Sequence, residues 1–229
     1  MIAQRLAAVQ QQIRDAEAAA GREPGSVDLL PVTKFHPASA IEELMRLGIT
    51  LVGENREQEA RAKAEELPEC RIAMIGQIQS KKANAVARWA AEVHSLDSVK
   101  LAHGLDRGMA LALERGDRVT DTLPCMIQVS ADGDEARGGA SLSNVPEIAS
   151  AVEDSEHLAL AGFMVVPPLD ADPKTVFEKA RSLTDDYSLQ LNRNLRLSAG
   201  MSGDFELAIA CGSDIVRVGT AVLGPRPVV

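Results

Sequence analysis

Lys34 is the residue whose type and position point most directly to chemistry, because it follows the apolar run Leu29 to Val32. Such a run is typical of a buried strand, and a bare ammonium costs several kcal/mol to bury. A primary amine held at the end of a strand can form an imine with a carbonyl compound. On the run alone two interpretations stay open: a reactive amine, or an ordinary lysine whose head group reaches water.

A second group of polar residues lies near the far end of the chain, and their types suit a phosphate. Ser202 and Gly203 come between an apolar run and a helical pattern, where a hydroxyl and backbone N–H groups can meet an anion. Gly219 and Thr220 follow the last predicted strand, where glycine permits close backbone approach and threonine adds a hydroxyl. Simpler roles stay open, with Ser202 as a helix N-cap and Gly219 as a turn residue. Asp204 would repel a phosphate unless its carboxylate points away.

Arg217 is expected to point into the protein, because Val216 and Val218 on either side share the opposite face of the predicted strand. A buried guanidinium needs an acceptor, which is either a carboxylate or a ring nitrogen of a bound ligand. An amine, a phosphate site and an inward arginine together favour a phosphorylated aldehyde, and pyridoxal 5′-phosphate (PLP) fits all three. An arginine that donates to the pyridine nitrogen keeps it unprotonated and weakens the ring as an electron sink.

Alternating strands and helices must position these residues. After a helical pattern from Ile2 to Ala20, apolar runs separated by helical patterns predict eight short strands. The predicted strands are 28–34, 49–52, 71–75, 93–96, 123–129, 158–164, 195–198 and 214–218. The predicted helices after Pro37 include 56–67, 81–91, 99–115, 146–152, 173–191 and 203–210. Pro31 predicts that the first strand begins late or carries a bulge, because proline cannot donate to a ladder.

This order over 229 residues predicts a single domain, 1–229, folded as an α/β (β/α)8 TIM barrel with a helix before strand 1. A doubly wound open sheet is the alternative, but its G-x-G-x-x-G turn is absent after the first strand. Only 11 residues follow the last predicted strand, so the N-terminal helix is expected to cover the place of an eighth helix.

Composition excludes several kinds of partner. A formal net charge of -9 argues against duplex nucleic acid and anionic membranes, and 3% aromatic residues are too few for stacking on single strands. The sequence shows neither a run near the roughly 20 apolar residues of a membrane span nor a signal peptide, so a cytoplasmic protein is expected. Three cysteines without ligand spacing predict neither disulfides nor a metal site. The lack of an apolar stripe favours a monomer.

Several segments, between about Leu29 and Gly224, resemble those of the pyridoxal phosphate homeostasis proteins, the YggS/PROSC-type PLP-binding proteins related to the alanine racemase barrel. The segments that carry the resemblance are 29–34, 52–59, 75–81, 162–164, 197–209 and 216–221. The resemblance implies a TIM barrel that holds PLP as an internal aldimine of Lys34, with Asn55 lining the cofactor. It further implies Ser202, Gly219 and Thr220 around the phosphate and Arg217 at the pyridine nitrogen.

The chain departs from the family pattern at three positions. Gln77 stands where relatives commonly have a histidine, which puts the role of an imidazole beside the cofactor in doubt. Arg137 stands where they commonly have a lysine. Because a guanidinium does not form an imine, this second departure puts a second covalent PLP site in doubt. Ala199 replaces a methionine. The segment 131–139 around Arg137 is the most loop-like part of the chain. Two interpretations of it stay open: a flap near the barrel mouth, or a solvated connector.

Three functions are compatible with these residues. The favoured one is a PLP carrier or regulator in PLP homeostasis, with PLP-dependent apoenzymes as candidate recipients. The alternative is a PLP-dependent enzyme resembling an amino-acid racemase, which needs a second acid or base; the single tyrosine, Tyr187, lies in a predicted outer helix. A Schiff-base aldolase without PLP keeps Lys34 but leaves Arg217 unexplained.

Overall fold

The computed structural model describes residues 1–133 and 138–225, which form eight strands with helices between them. The strands are β1 (Asp28–Pro31), β2 (Leu51–Glu54), β3 (Arg71–Met74), β4 (Ala90–Leu96), β5 (Leu123–Val129), β6 (Leu158–Val165), β7 (Arg196–Ser198) and β8 (Ile215–Val218). The helices are α1 (Ile2–Ala19), α2 (Ala38–Arg46), α3 (Glu57–Glu66), α4 (Ala83–Trp89), α5 (Val99–Glu114), α6 (Val145–Glu153), α7 (Pro173–Gln190), α8 (Phe205–Ala210) and α9 (Thr220–Leu223). A 3-10 turn, Ser80–Lys82, precedes α4.

The eight strands form one sheet in the order β1-β8-β7-β6-β5-β4-β3-β2. The pair β1 and β8 is parallel, as are the pairs from β3 to β6. An isolated parallel bridge between Val32 and Gly53 links the end of β1 to β2. The fold is therefore a (β/α)8 TIM barrel with α1 before β1, as the alternation of strands and helices predicts.

The chain divides into two compact units. The first comprises Met1–Gly53 and Val166–Val229, and the second is Glu54–Val165. The first unit thus contains β1, β7, β8 and most of β2, whereas the second contains β3 to β6. The organisation of 1–229 as a single domain stays a prediction.

In the first unit, α1 lies where the short tail after β8 leaves room. Its buried residues Leu6, Val9 and Ile13 recur every three or four positions and form one apolar face. The helix packs against α8 and against α9, which has only four residues. The guanidinium of Arg5 donates to the carbonyl of Leu223 at 3.2 Å. This confirms the expectation that the N-terminal helix takes the place of a long eighth helix.

The second unit has an aliphatic core built from its strands and helices. Ile72, Val93 and Ile127 are fully buried on three of its strands. Helix α5 approaches α4 closely at Gly108, where an added Cβ would lie 2.8 Å from the Cβ of Ala87. Small residues at this crossing allow the two helix backbones to pack tightly.

Several element ends differ from the predictions. Strand β1 begins at Asp28 and pairs with β8 without a register shift, so the prediction of a late start or a bulge at Pro31 is wrong; the proline is simply the last residue of the strand. Lys34 therefore lies in the turn beyond the strand. The helix predicted from 81 to 91 is shorter, because Ala90 already belongs to β4. The helix predicted from Gly203 begins two residues later, at Phe205.

Arg137 and the centre of the predicted flap 131–139 lie outside the described residues. Within residues 1–133 and 138–225, no helix is long and apolar enough to cross a membrane. In the same part of the chain, no cluster of three or more histidine, cysteine or acidic side chains is arranged to hold a metal ion.

Candidate cofactor-binding site

Lys34 lies in a tight turn directly after the end of β1. The backbone N–H of His36 donates to the carbonyl of Thr33 at 3.1 Å and closes the turn. Phe35 adopts a φ of 67°, a left-handed conformation that a bulky residue rarely takes. Such strained residues persist where the surrounding structure holds them, and they cluster at functional sites. The turn leaves Lys34 half-buried.

Strand pairing brings the residues after β8 to the same edge as the Lys34 turn. Leu30 pairs with Arg217, and the N–H of Val32 donates to the carbonyl of Val218 at 3.0 Å. Gly219 comes so close that an added Cβ would lie 3.4 Å from the carbonyl oxygen of Val32. Neighbouring parallel strands end at the same edge of a barrel. Gly219 and Thr220 follow β8, so they lie at the edge where the Lys34 turn follows β1.

The loop after β7 starts next to Arg217. The carbonyl of Gly200 accepts a hydrogen bond from the Arg217 backbone N–H at 2.9 Å. Gly200 has a φ of 92°, and a Cβ there would lie 2.6 Å from the Cβ of Ala208, so only glycine fits. The loop then exposes Ser202 and Gly203 ahead of α8. Around Gly203 no heavy atom lies within 4 Å of an added Cβ, which leaves room for a ligand to approach.

The carboxylate of Asp204 is held within its own loop. Its Oδ1 accepts a hydrogen bond from the backbone N–H of Met201 at 2.6 Å. The carboxylate also attracts the Arg217 guanidinium electrostatically. The negative charge of Asp204 is therefore partly balanced inside the first unit.

Arg217 is buried, with only 3% of its surface exposed, as the alternation along β8 predicts. Its Nη1 donates to the hydroxyl of Ser198 at 2.8 Å. Burial lowers the pKa of the guanidinium to about 10, and the Asp204 carboxylate opposes part of this shift. At neutral pH the group is still protonated, so it acts only as a hydrogen-bond donor.

Ser198 was not predicted as a site residue. The sequence predicts a carboxylate or a ligand ring nitrogen as the acceptor for Arg217. The hydroxyl of Ser198 is an acceptor of a third kind. The only signal in the sequence is a serine within a short strand, directly after the core residue Leu197. Serine is common in loops as well, so this signal could not be separated from an ordinary strand end.

Asn55 belongs to the second unit, where it follows β2 and is exposed. Its backbone passes so close to Gly76 that an added Cβ would lie 2.0 Å from the Asn55 carbonyl oxygen. Asn55 and Gln77 line a polar cavity of about 510 Å³ together with residues of α3 and the side chain of Lys82. The glycine after β3 thus fixes where the Asn55 loop can lie.

A buried ion cluster at the start of the same loop was also not predicted. The Nζ of Lys63 lies 2.6 Å from Oε1 of Glu54 and 2.8 Å from Oε1 of Glu59. Glu54 is fully buried and Lys63 is 6% exposed. The cluster ties the end of β2 to α3 and so holds both ends of the segment that contains Asn55.

Comparison with known proteins defines the class to which this fold and site belong. Residues 4–227 match the family described as alanine racemase, N-terminal domain, and the chain belongs to that class of barrel. A pyridoxal phosphate homeostasis protein of Corynebacterium glutamicum is 58% identical over 206 residues, covering 90% of this chain and 93% of the relative. Its counterpart in Mycobacterium tuberculosis is 44% identical, covering 96% of this chain and 91% of the relative.

A solved structure agrees with these relatives. PipY of Synechococcus elongatus, determined with PLP bound, is 33% identical, with a TM-score of 0.82 and coverage of 98% of this chain and 100% of PipY. The chain is therefore a member of the pyridoxal phosphate homeostasis protein family, as its sequence motifs predict.

Proposed function

We propose that this protein binds PLP through Lys34 and acts as a carrier or regulator of the cofactor in the cytoplasm. The observation that carries the proposal is the pairing of β1 with β8, in which Leu30 lies opposite Arg217. This pairing puts the turn that carries the half-buried Lys34 next to the strand that carries the buried guanidinium. The chemistry of the donor set fits PLP, which needs an amine for its aldehyde, a partner for its ring nitrogen and donors for its phosphate.

Lys34 supplies the covalent link. Its amine nitrogen adds to the C4′ aldehyde carbon, the C=N bond replaces the C=O bond, and the aldehyde oxygen leaves as water. The step is reversible and needs neither an oxidant nor a reductant. The turn closed by His36 and Thr33 already holds the backbone of Lys34. Only a small part of the chain therefore has to be ordered when PLP binds.

The phosphate is proposed to lie between the loop after β7 and the end of β8. Ser202 and Thr220 are exposed and offer hydroxyls, and Gly203 and Gly219 offer backbone N–H groups that no Cβ shields. Hydrogen bonds to a charged phosphate are roughly twice as strong as those between neutral groups. In the second unit, Asn55 is proposed to line the cofactor.

Arg217 favours holding the cofactor over using it. A guanidinium protonated at neutral pH donates to the ring nitrogen and keeps that nitrogen free of a proton. An unprotonated ring is a weaker electron sink, so this arrangement supports carbanion chemistry less well. Tyr187, the single tyrosine, is in α7 rather than at a strand end, so no tyrosine follows a strand as a second base would. The proposed recipients are PLP-dependent apoenzymes, and the carrier is proposed to be a monomer.

The covalent link is tested by absorbance and by reduction. Protein incubated with PLP should gain a visible absorption band, and borohydride should fix a pyridoxyl group that mass spectrometry locates on Lys34. Lys34→Ala should fold and lose the band, whereas Lys81→Ala, at an exposed lysine, should keep it. A protein that takes up no PLP, or a band retained in Lys34→Ala, would contradict the proposal.

Two further measurements separate a carrier from an enzyme. Exchange of the α-proton of amino acids, followed by NMR in deuterated buffer, should be no faster with the protein than with free PLP. Appreciable exchange would reject the simple carrier in favour of a racemase-like enzyme. Arg217→Glu should weaken PLP binding, because it replaces the proposed donor to the ring nitrogen by an anion. Unchanged affinity would mean that Arg217 does not face the ring.

A further inference from the structure

Ser198 and Arg217 form a buried polar pair on adjacent strands of the first unit. Ser198, the last residue of β7, has no exposed surface, and its hydroxyl oxygen lies 2.8 Å from Nη1 of Arg217. The two residues are 19 positions apart in the chain, so the contact exists only in the folded protein. The bond fixes one corner of a planar group that carries five N–H donors.

The chemistry of the acceptor matters for what the guanidinium can do next. A carboxylate in the place of Ser198 would bind two N–H groups side by side and neutralise the positive charge. A hydroxyl accepts one N–H and leaves the charge in place. Ser198 therefore orients the Arg217 side chain, and the guanidinium keeps its positive charge.

A second buried serine in the same unit shows what a purely structural serine looks like. Ser213 is also fully buried, but its hydroxyl lies 2.8 Å from the carbonyl of Ala199 and 3.1 Å from that of Ile215. It also accepts from the backbone N–H of Ala199 at 3.2 Å. Ser213 holds strand backbones together, whereas the hydroxyl of Ser198 is aimed at a side chain.

We propose that Ser198 is a positioning residue, which holds the Arg217 guanidinium in the orientation that donates to the ring nitrogen of PLP. The inference rests on the proposed function, because it presupposes that Arg217 faces the ring. Ser198 itself touches Arg217 and not the cofactor. Its removal leaves the charge buried and takes away the contact at Nη1, so the guanidinium is held less firmly in the orientation that the ring contact needs.

The test compares PLP with its 1-deaza analogue, in which a C–H group replaces the ring nitrogen. Affinities of both compounds are measured by absorbance titration for the wild type, Ser198→Ala and Ser213→Ala, with thermal unfolding as a check of the fold. The wild type should prefer PLP by about tenfold, the usual value of a hydrogen bond to a charged donor. Ser198→Ala should lose most of this preference, and Ser213→Ala should keep it at the wild-type value.

Each alternative result has a defined meaning. If Ser198→Ala binds both compounds more weakly but keeps the wild-type preference, Ser198 is merely structural and the inference is wrong. If the wild type itself shows no preference, the inference is also overturned, and the fault lies in the proposed contact between Arg217 and the ring.

Two further variants guard against a folding defect. Ser198→Cys has nearly the same volume but a much weaker acceptor, and it should lose the preference as Ser198→Ala does. Ser198→Thr keeps the hydroxyl and should restore it. Loss of preference in Ser198→Thr together with retention in Ser198→Cys would contradict the role of the hydroxyl.

Discussion

Replacing Arg217 by methionine should stabilise the PLP-free protein while it weakens cofactor binding. Burial lowers the pKa of the guanidinium to about 10, which corresponds to a cost of about 3 kcal/mol for keeping the charged group in the folded state. Loss of the hydrogen bond to Ser198 destabilises the variant by about 1 kcal/mol and so offsets part of this gain. Methionine is long, flexible and apolar, so it can fill most of the space. The expected gain is about 2 kcal/mol.

This gain should be visible in thermal unfolding of the PLP-free protein followed by circular dichroism. For a domain of this size, each kcal/mol shifts Tm by about 2 to 4 °C, so Arg217→Met should unfold roughly 4 to 8 °C higher. Its affinity for PLP should fall at least about tenfold, since the proposed donor to the ring is missing. Arg107→Met, at an exposed position of α5, is the control and should change neither quantity.

The pH dependence gives an independent check of the cause. Because the pKa of Arg217 is lower in the folded than in the unfolded protein, the unfolded state binds more protons between about pH 10 and 12.5. The free energy of unfolding contributed by this group therefore rises with pH in that window. The stability advantage of Arg217→Met should shrink above pH 10. A variant less stable than the wild type at pH 7 would show that the guanidinium is needed for folding and would refute the reasoning.

Three further predictions concern positions outside the proposed contact with the ring. Gly76→Ala should destabilise the protein by at least about 2 kcal/mol in urea unfolding, because the new Cβ would lie 2.0 Å from a backbone carbonyl; an unchanged midpoint would contradict the tight approach. Lys63→Met should cost about 3 to 5 kcal/mol in the same assay, since it breaks the ion pair of the fully buried Glu54, and a neutral effect would mean that the cluster is dispensable. Burial raises the pKa of the Cys125 thiol to about 12, so at pH 8 a thiol reagent should modify Cys125 only after unfolding. The same reagent should modify the less buried Cys211 sooner. The reverse order of modification would contradict these burial differences.

The parts of this fold that the sequence predicts are those that depend on local pattern. The alternation of apolar runs predicts eight strands, and the alternation within β8 predicts that Arg217 is buried, which its 3% exposure confirms. The ends of elements are less well predicted. Neither the end of β1 at Pro31 nor the start of α8 at Phe205 follows from local pattern, because pairing with a neighbouring strand and loop geometry decide both.

The contacts that could not be predicted join residues through the folded chain. One acceptor of Arg217 is Ser198, and nothing in either strand's own sequence specifies that the two side chains meet. The same holds for Glu54 and Lys63, whose ion pair depends on how α3 lies against the end of β2. The roles of Asn55 and of the phosphate-binding residues stay predictions from the family resemblance, to be tested with PLP itself.

The division of the chain into units also bears on the order in which the protein can fold during synthesis. The second unit is one continuous segment, 54–165, whereas the first unit joins 1–53 to residues from 166 onward. Contacts between distant parts of a sequence close slowly, because the entropy of the intervening loop is lost first. Lys34 emerges from the ribosome long before Arg217, so a nascent chain carries the amine without its guanidinium partner. The proposed site is thus complete only after the strands of the continuous unit have been made.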